Sequence, residues 1–354
     1  MNTTSRSLLT GLALAPLLLA PGGAVDGVGY QPKEGATATR AFLIETDLTL
    51  EDMSLEFDGQ DMSEMAGKID MAMKTSQALE VTDQYEVIAD GRPAKLKRSF
   101  DKVETSSHIT VSNPMVGDNE ADVPASSELE GATVLFSWND SEEDFDVAFA
   151  EGEDGDEELL VGLLENMDLR GFLPGKEVSV GDTWKVPTDA VQNALRPGGD
   201  LKLKPESDSE DMTGMGDFSS DDLIESLEGE FEAEYSGTRE EEGVRVGVIQ
   251  LTLKAKCARD MSDKAGAMRD KMAENMPPGI QMEITAFDGE LSYDAEGELL
   301  WNLESGLPHA LSVSGDMRMI IDMAMSVETP DGDQSMEQSL TFAGTQTITL
   351  TTGE

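Results

Sequence analysis

The chain has 354 residues, with 25 Lys+Arg against 72 Asp+Glu, a formal charge of −47, 38% hydrophobic residues and 1 Cys. A chain of that length can bury about 75% of its unfolded surface, so a substantial core is available, and the composition is that of a folded protein. The acidity argues against nucleic acid and anionic lipid surfaces as partners, the lone Cys excludes an internal disulfide framework and multi-thiolate zinc, and 2 His leave little scope for imidazole chemistry.

Residues 1–24 read as a signal peptide of a bacterial exported protein. Arg6 supplies the basic start, Leu8 to Ala20 the apolar stretch, and Gly22-Gly23-Ala24 the small residues for cleavage. The apolar stretch is too short to span a hydrocarbon core of about 30 Å. No Cys follows it to take a lipid, and no other run of 18 apolar residues occurs. The expectation is a periplasmic or secreted protein with no integral membrane segment after cleavage. Residues 25–36 form an N-terminal linker.

From residue 37 onward the dominant signal is apolar alternation of period two, the mark of half-buried antiparallel strands. Phe42, Ile44, Leu48 and Leu50 share one parity, which then switches to Met53, Leu55 and Phe57. The switch predicts a bulge or turn near Glu51-Asp52. Leu79, Val81, Tyr85 and Val87 make a strand ended by Asp90-Gly91. Val134, Phe136 and Trp138 pair as a hairpin with Phe145, Val147 and Phe149. Glu157 to Asp168 places five apolar residues at helical spacing, which predicts a helix near 157–168 stopped by Gly171 and Pro174.

Residues 197–222 mix Gly, Ser, Pro and acids and read as a linker between a β-rich N-terminal half, 37–196, and a β-rich C-terminal half, 223–354. In the second half, Phe231, Ala233 and Tyr235 turn through Gly237 to Gly243 into Val244, Val246 and Val248. Ser262 to Met276 carries Ala265, Met268, Met272 and Met276 on one stripe, a Met-rich helix near 262–276. Leu291 and Tyr293 are expected to turn at Asp294 to Gly297 into Leu299, Trp301 and Leu303, with His309 in a later loop. Met317 to Val327 and Leu340 to Leu350 supply the last strands. The fold class is mainly β: a curved antiparallel sheet, or sheets, or a half-barrel, with two or three covering helices.

Several of these features occur together from Tyr85 to Trp184. They are the strand ending in Val87-Ile88-Ala89-Asp90-Gly91, the strand bearing Arg98-Ser99-Phe100, the leucine-rich segment, Phe172-Leu173-Pro174-Gly175, and the turn Val178-Ser179-Val180-Gly181-Asp182-Thr183-Trp184. With Gly289 to Asp294 later on, this arrangement resembles families of uncharacterised exported bacterial β-rich proteins. Their shape is similar to the lipoprotein-carrier half-barrels of the LolA type, which implies a curved sheet closed by helices. The resemblance implies no catalytic residues.

Methionine is unusually abundant, at 20 residues, with Met-x-Met pairs at Met71/Met73, Met317/Met319 and Met323/Met325. Period two puts both members of a pair on one face, where thioethers serve as core filler, as an adaptable lining for an apolar ligand, or as ligands for a soft metal such as Cu(I). The cavity reading assigns Met268, Met272, Met317, Met319 and Met323 to the lining. From Ser141 to Glu158, 10 of 18 residues are Asp or Glu, a solvated face with scope for weak Ca²⁺ binding but no spaced calcium loop. No nucleophile, Walker or dinucleotide motif occurs; Ser99 and Lys102 match S-x-x-K by spacing, but on a strand. A catalytic site, a cofactor and a resident metal are not expected. The sequence reads as a non-enzymatic binding or carrier module for an apolar small molecule or lipid. The alternative is a packed structural or interaction protein of the cell envelope with Ca²⁺ on its acidic loops.

Overall fold

The computed structural model describes residues 27–63, 69–113, 117–206, 223–266, 269, 281–329 and 332–353. The signal segment, residues 207–222 of the linker, and residues 267, 268 and 270–276 of the expected Met-rich helix, including Met268 and Met272, lie outside the described residues.

Among the described residues fourteen strands form one sheet, in which every pairing is antiparallel. They are β1 (Thr37–Phe57), β2 (Gln60–Asp61), β3 (Asp70–Ala89), β4 (Arg92–Asn113), β5 (Gly117–Ser126), β6 (Thr133–Asn139) and β7 (Asp144–Phe149), then β8 (Thr183–Lys185), β9 (Lys204–Pro205), β10 (Glu228–Glu241), β11 (Val244–Asp260), β12 (Gln281–Asn302), β13 (Leu307–Thr329) and β14 (Gly332–Gly353). The spatial order is β7-β6-β4-β3-β1-β14-β13-β12-β11-β10-β8, with β2 beside β1, β5 beside β4 and β9 beside β5. The sheet is not closed. The two halves are continuous, because β1 pairs with β14 from Thr39↔Gly353 to Phe57↔Met336.

The strand pattern in the sequence translates directly into pairing. The parity switch in β1 is a bulge between Leu50 and Asp52. The Asp90-Gly91 turn has both residues at positive φ, 50° and 75°, as a two-residue hairpin of the right twist requires. Three local readings are corrected. Asp294 to Gly297 is not a turn but the middle of the 22-residue β12. Gly297 sits there because β13 approaches so closely that a Cβ would meet Ser312 O and Val313. The Gly237–Gly243 turn is narrower: Gly237 marks a bulge, and the chain reverses at Glu242-Gly243. His309 lies within β13 rather than in a loop.

One face of the sheet, called inner below, is covered by residues 157–201. This strap is not the expected helix near 157–168: only Glu157–Leu160 forms a 3₁₀ turn, followed by Gly162 at φ 85° and Leu169 at φ 54°. The leucines are nevertheless buried, as Leu159, Leu160, Leu163 and Leu169 all join the main core. The α-helix of this region is Thr188–Leu195, which buries Ala190, Val191, Ala194 and Leu195. Leu223, Ile224, Leu227 and Met261 extend the cover toward β12.

Candidate functional site

Cross-strand register lets the inner face be read row by row, since residues of one row stand side by side on neighbouring strands. Beneath the strap the rows are aliphatic and aromatic: Phe42, Leu79 and Val103 are opposite one another and fully buried. Next comes a polar belt. Ser107, Thr75, Thr46 and Gln346 line up across β4, β3, β1 and β14, with Gln77 and Thr105 paired in the row towards the strap. Thr75 and Ser107 share a hydrogen bond of 3.1 Å, and Gln346 Nε2 donates to Thr46 Oγ1 at 3.2 Å. All six are half-buried.

Beyond the belt the inner face turns apolar and sulfur-rich. Ile109, Met73, Leu48, Gly344 and Met317 form one row across five strands, and Leu50, Phe342 and Met319 stand in the next row of β1, β14 and β13. Both members of every Met-x-Met pair point inward, as period two requires. Met317 and Met319 are buried, at 6% and 3% exposure, and Met323 is half-buried. The floor made by β12 and β13 is covered, whereas Met71, Met73, Leu50, Met53, Ile109 and Val111 on β1, β3 and β4 are half-buried.

Here the sheet also splits. Pairing of β1 with β3 ends at Thr49↔Ala72; β1 continues along β14, while β3 stays with β4 to Asp70↔Ser112. A groove of about 500 Å³ lies at this fork, lined among others by Leu50, Met71, Val111, Asp70 and Asp118. A second groove, of about 460 Å³, lies on the inner face where the strap ends, between Gln77 and residues 196–204.

Under the strap lies a cluster that the sequence reading missed. Asp83 accepts hydrogen bonds from Arg40 (2.5 Å) and Arg98 (2.7 and 2.9 Å), all three being at most 1% exposed. Arg40 also donates to Tyr85 Oη at 2.6 Å. Arg98 donates to the carbonyls of Leu164 and Glu165, both at 2.8 Å. Arg98 thus ties the irregular strap, in place of the helix its leucine spacing suggests, directly to β4. Arg170 closes the cluster on Glu165 (2.5 and 3.1 Å) and Asp168 (2.8 Å). Three cations meet three carboxylates. Burial pushes the Glu165 carboxyl above its ordinary range, against the pull of Arg170. The Tyr30 hydroxyl and Arg40 Nε are buried without a hydrogen bond, and burial together with the Asp168 charge raises the Tyr30 hydroxyl. The sequence signal was a charged residue at an inward position of three strands: Arg40 between Ala38 and Phe42, Asp83 between Val81 and Tyr85, and Arg98 between Leu96 and Phe100. Balanced and enclosed, this cluster fixes the strap on the sheet.

Other sequence candidates do not converge with one another. His108 faces outward, 2.7 Å from Asp122 and 3.4 Å from Glu120. Cys257 is buried on the inner face of β11, and burial raises its thiol, as an inert core position requires. Ser99 shares a hydrogen bond with Thr133. No group of three or more His, Cys, Asp or Glu among the described residues is arranged to hold a metal ion. Among the described residues no helix is long and apolar enough to cross a membrane.

No protein-family model matches the chain, and no curated protein does. Among solved structures, the outer membrane protein OprG from Pseudomonas aeruginosa is 10% identical, with 92% of this chain and 99% of that one covered and a TM-score of 0.19. A DUF1329 family protein from Desulfovibrio piger is 9% identical, with 86% and 84% covered and a TM-score of 0.12. One similar structure thus belongs to an uncharacterised family. At these TM-scores neither likeness bears on fold or function.

Proposed function

We propose that this protein is an exported, non-enzymatic binding or carrier module that holds an apolar small molecule or the acyl part of a lipid against the far half of its inner face. One observation carries the reading. The strap and its buried charges fill only the near half of that face, while beyond the polar belt Met71, Met73, Leu50, Met53, Ile109 and Val111 remain half-buried on adjacent strands. Flexible, polarisable thioethers adapt to varied apolar shapes without a fixed pocket. The fork groove exceeds the roughly 300 Å³ at which small-molecule sites begin. Export through residues 1–24, and cleavage after them, belong to the same proposal.

Native mass spectrometry of the protein from its own producing cells should show an added mass that denaturation removes. The apolar dye N-phenyl-1-naphthylamine should brighten on binding, and Met73→Glu should weaken it by about tenfold or more, because a carboxylate on this floor must be desolvated when the dye lands. A dye that never brightens, with a bare polypeptide mass, would overturn the reading and favour a packed structural module.

A further inference from the structure

We infer that the ligand of this face is an amphiphile with an anionic head, and that the head sits in the groove between Gln77 and residues 196–204. The inference rests on the apolar-floor reading above and adds the chemistry of the polar end.

The charge of this groove runs against that of the molecule. Lys and Arg account for 25 of 354 residues. Yet among its described lining residues Arg196, Lys202 and Lys204 outnumber the acid Asp200. Each cation has a carboxylate partner: Arg196 with Glu225 at 3.1 Å, Lys202 with Asp200 at 2.6 Å, and Lys204 with Glu128 at 2.7 Å. Those carboxylates are all more than half exposed, so the pairs are solvent-screened, contribute little, and exchange readily for another anion.

The backbone that carries these cations is also held in place. The Asp200 amide donates to Gly162 O at 3.0 Å, Leu164 N to Gly198 O at 2.9 Å, and Ser127 Oγ to Leu201 O at 2.5 Å. Lys204 and Pro205 pair with Ser126 and Ala125 of β5. A side chain at Gly199 would collide with Gly162 O, so the strap crosses itself at contact distance. Lys202 occupies φ 52°, a left-handed conformation uncommon for a residue that is not glycine, with its amide capped by Asp200 Oδ1 at 3.1 Å. Such backbone persists only where its surroundings fix it, and it recurs at binding sites.

The order of groups along β3 matches an amphiphile laid lengthwise. Gln77 floors the basic groove, Thr75 belongs to the polar belt, and Met73 and Met71 follow on the apolar floor. From Gln77 to Met71, six residue steps, the strand spans about 20 Å at ~3.3 Å per residue. The chain's overall acidity still repels an anionic membrane, because an extended surface meets the whole molecule. A single head meets only this groove.

The test titrates the full chain with three single-chain twelve-carbon amphiphiles below their micelle concentrations: laurate, dodecyl phosphate and dodecyltrimethylammonium. N-phenyl-1-naphthylamine reports the apolar floor alone. The expected result is that at least one anionic amphiphile binds tenfold or more tightly than the cationic one, and that Lys202→Gln/Lys204→Gln cuts this preference to under threefold. Lys204→Gln alone, at a site 65% exposed, should give part of the loss and guards against misfolding of the double variant. Laurate ahead of dodecyl phosphate would identify a carboxylate head, and the reverse a phosphate head. If the dye binds but head charge makes no difference, or the preference survives in both variants, the head site is wrong and the apolar floor stands. If neither dye nor amphiphile binds, both fall.

Discussion

Replacing Asp83 by Asn tests whether the buried charges anchor the strap. The substitution keeps size and shape but removes the charge shared by Arg40 and Arg98, each wholly buried. The Asn oxygen can still accept, but its NH2 replaces an acceptor and faces a guanidinium donor, so hydrogen bonding and charge are both lost while two guanidinium groups keep their positive charge where water cannot reach. Removing one partner of a buried pair costs about 3–5 kcal/mol. For a chain of this length each kcal/mol lowers Tm by about 1.4 °C, so the expected shift is about 4–7 °C. Asp47→Asn is the control, since its pair with Lys74 is 48% and 63% exposed and should contribute under about 0.5 kcal/mol. Thermal and urea unfolding followed by circular dichroism would give both shifts. Limited proteolysis should also cut faster within 157–172 in Asp83→Asn, because Arg98 would hold the Leu164 and Glu165 carbonyls less firmly. An Asp83→Asn shift no larger than the Asp47→Asn shift would refute the anchoring argument.

Glu165 gives a pH signature. The folded protein holds its proton more tightly than the unfolded chain, so its contribution to stability is present below the ordinary value of 4.5 and is lost as pH rises through the raised one. The Tm of Glu165→Gln relative to the parent should therefore increase from pH 4 to pH 7; a difference that stays flat or falls would show that the carboxyl is not desolvated. Gly344→Ala places a methyl group against Asp47 O in the row of Leu48 and Met317, and should cost about 3 kcal/mol in urea unfolding. An unchanged midpoint would mean that β1 and β14 are farther apart. With a formal charge of −47, self-repulsion should ease as salt rises from 0.01 to 1 M and the screening length falls from about 30 to about 3 Å. Tm should climb by several degrees, and a salt-independent Tm would mean that the carboxylates are already compensated.

The sheet was legible because period-two patterning is written wherever one face is dry and the other wet. The β1 bulge, the Asp90-Gly91 turn and the common face of the Met pairs could all be read from parity and turn chemistry. What failed did so for identifiable reasons. The five-residue apolar stripe of 157–168 satisfies a helix template, but the segment is held by contacts with Arg98, more than 60 residues earlier, which no local pattern records. Asp294 to Gly297 has turn composition, yet a neighbouring strand that admits no side chain at Gly297 uses the same glycine for contact. The helix Thr188–Leu195 is short, and its signals, Pro187 before it, an early Asp189 and Gly198-Gly199 after it, fall beside a linker-like stretch. On the inner face, Met317, Met319 and Met323 were found by parity. The polar belt was invisible, because Thr, Ser and Gln at inward positions register as gaps in the pattern until their strands are aligned.

The pairing of β1 with β14 ties the timing of folding to the end of the chain. Thr39 finds its neighbour at Gly353, so the ribbon at the centre of the sheet cannot zip until the last strand has been delivered. As the chain is synthesised from its N-terminus, β1 and β3 wait on an open seam until β14 follows. The cost is a closure of more than 300 residues, among the least local contacts a chain of this size can make, which sets a slow final step. Until then, the long edges of β1 and β13 must be kept apart from those of other copies, and the acids along β1 (Glu45, Asp47, Glu51, Asp52 and Glu56) supply repulsion on one of the two edges.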